Sequence, residues 1–247
     1  MQKVLVTDEQ RMLPAYASMP AEELPMFAEN RVHQRSSGDP YPCKIVAQVD
    51  RQHRVERPFR IITLENEYLR LELMPDLGGR IYAALDKRTG YDFFYRQHVV
   101  KPALIGLLGN WISGGVEFNW PCHHRPSTYM PVDVSIEEEP GGAVTVWMSE
   151  NEPLNRMKGM VGIHLAPGEA RFDTRMKVYN GTPARHSFLW WENAAVPVNP
   201  QYRLVFPPDV HYVQFHYRKN VTTYPVASGV YNGIRMGDGV DISYHKN

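Results

Sequence analysis

From about residue 59 onward, the apolar positions of the chain recur with period two. Leu69, Leu71 and Leu73 alternate with Tyr68, Arg70 and Glu72. Ile81, Ala83 and Leu85 repeat the pattern before the turn residues Asp86-Lys87-Arg88-Thr89-Gly90. Val132, Val134 and Ile136 run into Glu139-Pro140-Gly141-Gly142, and Val144, Val146 and Met148 run out of it. The clearest hairpin follows. Val161, Ile163 and Leu165 precede the turn Ala166-Pro167-Gly168-Glu169. Beyond it Ala170, Phe172, Thr174, Met176 and Val178 face one way, and Arg171, Asp173, Arg175, Lys177 and Tyr179 the other. Such alternation is what a half-buried antiparallel strand requires. Further strands are expected within 187–195, 202–206 and 211–217. No long stretch carries the i, i+3, i+4, i+7 spacing of an amphipathic helix. Many short strands with turns between them predict an all-β fold, an antiparallel β-sandwich over residues 59–247.

Residues 1–58 read differently. They are rich in proline and charge and hold no sustained period, so they are expected to form an irregular N-terminal arm. A short helix could start at Pro20, since proline suits the first helical position.

Composition narrows the partners. Lys+Arg and Asp+Glu are equal at 27 each in a chain of 247 residues. A nucleic acid or an anionic membrane usually requires a basic excess, so neither is expected; a small neutral ligand is. Only Cys43 and Cys122 are present, which fits a reducing compartment better than a disulfide framework. The first residues carry no apolar run of the secretory kind, and no apolar stretch approaches the ~20 residues of a membrane span. The expectation is a soluble, cytoplasmic protein.

Two segments are dense in chemistry. Residues 101–133 hold Lys101, Trp111, Gly114-Gly115, Glu117, Asn119, Trp120, His123-His124 and Arg125. Aromatic faces suit the C–H side of a pyranose, and Arg, Asn, His and Glu can bond its hydroxyls. The plainer reading is a packed loop with its tryptophans in the core. His123-His124 makes a poor metal pair, because adjacent side chains on an extended segment point to opposite faces and Cys122 stands alone. No metal or other cofactor is expected. The second segment, Phe188-Leu189-Trp190-Trp191-Glu192-Asn193, places Trp191 and Asn193 on one face if it is a strand, and Trp190 and Glu192 on the other. Leu77-Gly78-Gly79-Arg80 lies between two strands, where paired glycines permit a corner that either aims Arg80 into a cleft or leaves it on the surface.

Together these residues resemble the bacterial domain-of-unknown-function 5107 family of the galactose mutarotase-like superfamily. The likeness runs through Leu64-Glu65-Asn66-Glu67-Tyr68-Leu69, Arg80-Ile81, Lys101-Pro102-Ala103-Leu104 and Trp111 to Thr128. Phe188-Leu189-Trp190-Trp191 and Phe206-Pro207-Pro208-Asp209 complete it. The resemblance implies a supersandwich whose concave face binds carbohydrate. In mutarotases of that superfamily a His acts as general acid and a Glu as general base at the anomeric centre. By that likeness His123 or His124 would be the acid, with Glu117 a catalytic candidate. Arg80, Lys101, Trp111, Asn119, Arg125, Trp191 and Glu192 would contact the substrate. Family domains normally continue past Tyr244-His245-Lys246-Asn247, so the sandwich is expected to be incomplete at its C-terminus. That would remove the usual base, unless Glu117 or Glu192 serves, and expose sheet edges through which a homodimer could form.

Three functions follow as expectations: an aldose 1-epimerase-like enzyme, a glycoside hydrolase pairing Glu117 with Glu192, or a non-catalytic module. Each takes a small or oligomeric sugar as partner.

Overall fold

The computed structural model describes residues 3–20, 49–104, 110–120, 126–152, 156–215, 220–226, 228–231 and 234–235. The chain forms two compact units, Met1–Pro197 and Val198–Asn247.

The first half of the larger unit holds β1 (Leu5–Ser18), β2 (Val49–Glu65), β3 (Leu69–Met74), β4 (Arg80–Asp86), β5 (Tyr91–Asp92), β6 (Ala103–Leu104), β7 (Asn110–Trp111) and β8 (Val116–Asn119). Its second half adds β9 (Asp133–Glu138), β10 (Val144–Glu152), β11 (Met157–Leu165), β12 (Phe172–Asn180) and β13 (Trp191–Ala194). A first sheet runs β1-β2-β3-β4-β8-β13, with β5 on β4, and a second runs β12-β11-β10-β9. Every strand pair in them is antiparallel.

The sheets face each other across one core. Leu69, Leu71 and Leu73 of β3 meet Val144, Val146 and Met148 of β10 and Val161, Ile163 and Leu165 of β11 there. The alternation read in β3, β10 and β11 marks their inner faces, and each fully buried aliphatic side chain contributes about 1.5–3 kcal/mol. In β4 a register shift against β3 puts Ile81 and Ala84 in the core instead of the expected Ile81, Ala83 and Leu85. Phe118, Trp190 and Trp120 stack within this core, Trp190 lying 6.1 Å from Phe118 and 5.6 Å from Trp120. The chain is an all-β antiparallel sandwich, as the periodicity requires.

The irregular arm is a misreading where it is described. β1 pairs with β2 from Leu5↔Glu65 to Tyr16↔Arg54, so residues 5–18 and 49–58 are strand. Both faces of the 51–58 stretch are exposed, which erases the apolar period that would have revealed it. Pro14 and Pro58 are tolerated because β1 is an edge strand and β2 has only β1 beside it there. The helix expected at Pro20 falls mostly outside the described residues.

Of the later strands, 187–195 shortens to β13. The smaller unit has β14 (Tyr212–Phe215) paired with β15 (Asn220–Thr223), and β16 (Val230–Tyr231) paired with β17 (Ile234–Arg235). No strand forms over 202–206, where consecutive Leu204 and Val205 are 70% and 89% exposed and have no partner strand to cover them.

Candidate functional site

The face of the first sheet turned away from the core carries Glu117, Asn119 and Trp191. Between β3 and β4, Gly78 and Gly79 both take positive φ (76° and 70°), the conformation that turns the chain sharply enough to present Arg80 inward. Arg80 is only 2% exposed. Its Nε donates to the Leu77 carbonyl at 3.3 Å, and its Nη1 to the carbonyls of Ile112 and Gly114 at 3.0 and 2.9 Å. It therefore ties the 112–114 segment to the glycine corner. Beside it a small cleft, bounded by Tyr82, Arg96, Gln97 and Ser113, has room for about one water molecule. The expected sugar contact at Arg80 is thus a guanidinium whose described bonds go to backbone.

Glu117 is the centre of the arrangement. In β8, Val116 and Phe118 enter the core, so Glu117 and Asn119 face the other side. β13 lies alongside in antiparallel register, with Asn193 opposite Glu117 and Trp191 opposite Asn119. Oε2 of Glu117 accepts hydrogen bonds from Trp111 Nε1 at 3.2 Å and Asn193 Nδ2 at 3.0 Å. The carboxylate is 4% exposed and Asn119 wholly buried, while Trp111 and Trp191 are half-buried. These two donors on one oxygen hold the carboxylate in a fixed direction.

Glu192 is not part of this group. It pairs with Phe118, so it belongs to the opposite face of the sheet from Glu117. The residue is exposed overall, yet enough protein crowds its carboxyl for desolvation to raise it above the usual carboxylate range. The two-carboxylate hydrolase pairing of Glu117 with Glu192 fails on this geometry, because both must flank one bond. Lys101 is exposed and sits with its Nζ 5.0 Å from the centre of the Tyr16 ring, a cation–π contact on β1. His123, His124 and Arg125 lie outside the described residues.

Sequence reasoning missed a charged knot on the same face. Glu72 accepts from Arg11 Nη1 at 2.8 Å and lies 3.2 Å from Arg70 Nη2 and 3.5 Å from Arg96 Nη1. Arg96 also covers the Tyr82 ring at 5.5 Å. These arginines in turn meet Glu9, Glu65 and Asp92, and Glu65 also meets Lys87, so the charges offset each other. The alternation of Arg70 and Glu72 with the core leucines was the available signal. Asn193 was the other omission from the candidate set, although its shared face with Trp191 was legible.

Among the described residues, no cluster of three or more His, Cys, Asp or Glu side chains is arranged to hold a metal ion. Among the same residues, no helix is long and apolar enough to cross a membrane.

Fold and site together define an all-β sandwich with a buried carboxylate, amides and tryptophans gathered on the outer face of its first sheet. The chain belongs to the family described as domain of unknown function (DUF5107), whose model matches residues 39–247. It is also similar to the crystal structure of a TPR-domain containing protein from Parabacteroides distasonis, with 25% identity and a TM-score of 0.71. That likeness covers 81% of this chain and 33% of the other, so the chain spans about a third of that protein's length.

Proposed function

We propose that this protein is a carbohydrate-binding domain of the galactose mutarotase-like superfamily, acting in cytoplasmic sugar metabolism through the outer face of its first sheet. The observation that carries the reading is Glu117, a buried carboxylate oriented by Trp111 and Asn193 beside Asn119 and Trp191. Apolar ring surface next to a few directed polar anchors is the composition of small-ligand sites, and a pyranose offers both an apolar C–H face and hydroxyls. The balanced charge of the chain and of the Glu72 knot favours an uncharged sugar over an anionic one.

The superfamily resemblance assigns His123 or His124 as general acid for ring opening, with Glu117 as the carboxylate nearest in sequence. His suits that role because its unperturbed pKa, about 6.5, lies near neutral pH. Calorimetric titration of the chain with neutral monosaccharides tests binding, and proton-resonance measurement of anomer interconversion tests turnover. Saturable binding that weakens in Glu117→Gln supports the reading; no binding to any common aldose removes it.

A further inference from the structure

Asn119 is wholly buried, yet neither its Oδ1 nor its Nδ2 has a hydrogen-bond partner among the described residues. A buried primary amide with both ends unserved is costly, and such groups in native proteins call for a reason. The backbone supplies its direction. Asn119 alternates with the core residue Phe118, shares its face with Glu117, and stands in register with the half-buried Trp191. The Thr128 hydroxyl is also buried and without a partner among the described residues, in the 3-10 turn Pro126–Tyr129 that packs on β7 and β8. A second unserved polar atom thus lies in a turn packed against β8, the strand that carries Asn119 and Glu117.

We propose that Asn119 is the specificity-determining group of this site and reads a pair of adjacent hydroxyls on a neutral sugar. One hydroxyl accepts from Nδ2 and its neighbour donates to Oδ1. The inference rests on the carbohydrate reading above and adds to it the class of feature recognised.

The chemistry selects a vicinal diol over other small groups. A side-chain amide offers a donor and an acceptor side by side. A ligand carboxylate only accepts, so it would serve Nδ2, leave Oδ1 facing lone pairs, and lie near the charge of Glu117. An ammonium only donates and would leave Nδ2 unserved. A trans N-acetyl amide turns its N–H and C=O to opposite sides and cannot reach both ends at once. Adjacent hydroxyls each donate and accept, so they satisfy both ends together, and the tryptophan rings are left to cover the C–H surface.

The test uses calorimetry on the full chain with glucose, galactose and mannose. The sugar that binds is then compared with its 2-, 3- and 4-deoxy forms. Two deoxy sugars with neighbouring positions removed should each bind at least about tenfold more weakly than the parent, since each leaves one end of a buried amide unpaired. Asn119→Leu, of nearly the same shape, should bind parent and deoxy sugars alike and melt no lower than the wild type. Asn119→Asp offers two acceptor oxygens, to which both hydroxyls can donate, so it should remain sensitive to both positions. Wild-type selectivity in Asn119→Leu overturns the inference, and so does a clear fall in its melting temperature, which would make the amide structural. Failure of the wild type to bind any of the sugars is a different result: it sinks the carbohydrate reading, and this inference with it.

Discussion

Asn193 donates its amide N–H to Oε2 of Glu117 at 3.0 Å, across a strand pair that joins residues 76 positions apart. The bond shares its acceptor oxygen with the indole of Trp111. Asn193→Asp would replace the donor with a second carboxylate at the same place. Two carboxylates at that distance cannot both ionise cheaply, so one pKa rises. At neutral pH the variant should lose about 1–3 kcal/mol, or very roughly 2–4 °C of melting temperature per kcal/mol. Its deficit should shrink as the pH falls through that raised value and vanish near the unfolded carboxylate value of about 4. Thermal melts from pH 3 to 8 check this, and a deficit independent of pH would refute it.

Gly159 and Trp120 test the core beneath the site. A Cβ on Gly159 would stand 2.0 Å from Cε2 and 2.1 Å from Nε1 of Trp120, which is itself stacked on Trp190. Gly159→Ala should therefore destabilise by about 3 kcal/mol or more, the upper end of overpacking costs. Trimming the ring in Gly159→Ala/Trp120→Leu should recover part of the loss relative to the sum of the single variants. Denaturant unfolding of all three proteins measures that coupling.

Glu139 gives a pH dependence away from the site. Its carboxyl is held below the usual range first by the hydrogen bond from Thr145, then by Arg175, with the charges of His164 and Arg175 adding to it. The folded state thus has the lower pKa, so the stabilisation is present above the unfolded value of about 4.3 and is lost as pH falls through the folded one. Glu139→Gln should melt lower than wild type at pH 7, by an amount equivalent to about 1 kcal/mol because the carboxyl is partly exposed. The two proteins should converge at strongly acidic pH. Parallel melting curves at all pH values would rule this out.

Glu192 has the opposite sign. Desolvation raises its folded pKa, so protonation favours the folded state and stability falls as pH rises through that folded value. Glu192→Gln should be slightly more stable than wild type at pH 7, by at most about 0.5 kcal/mol given solvent screening, and equal to it below the unfolded pKa. Because Glu192 faces away from Glu117, sugar affinity should not change. A loss of binding comparable to that of Glu117→Gln would contradict the face assignment.

Much of the site's orientation was already legible. Phe118 and Val116 mark the buried side of β8, which sends Glu117 and Asn119 to the other side. The same rule separated Trp191 from Glu192, but the expected Glu117–Glu192 pairing was excluded only by the register of β8 on β13. The long strands β1 and β2 were not legible. Their ribbon is exposed on both faces over much of its length, and without a buried face there is no period to read. For Arg80 the glycine corner left both cleft and surface open, because the carbonyls of Ile112 and Gly114 that hold it inward come from a segment with no regular pattern.

By itself the sequence determined which side chains of a given strand lie in the core, since successive residues on an extended chain point to opposite faces whatever the strand pairs with. Only the tertiary structure decided which strands became neighbours. The meeting of β8 with β13, which sets Asn193 on Glu117 and Trp191 against Asn119, depends on how all the apolar faces are buried at once, and no local spacing encodes that.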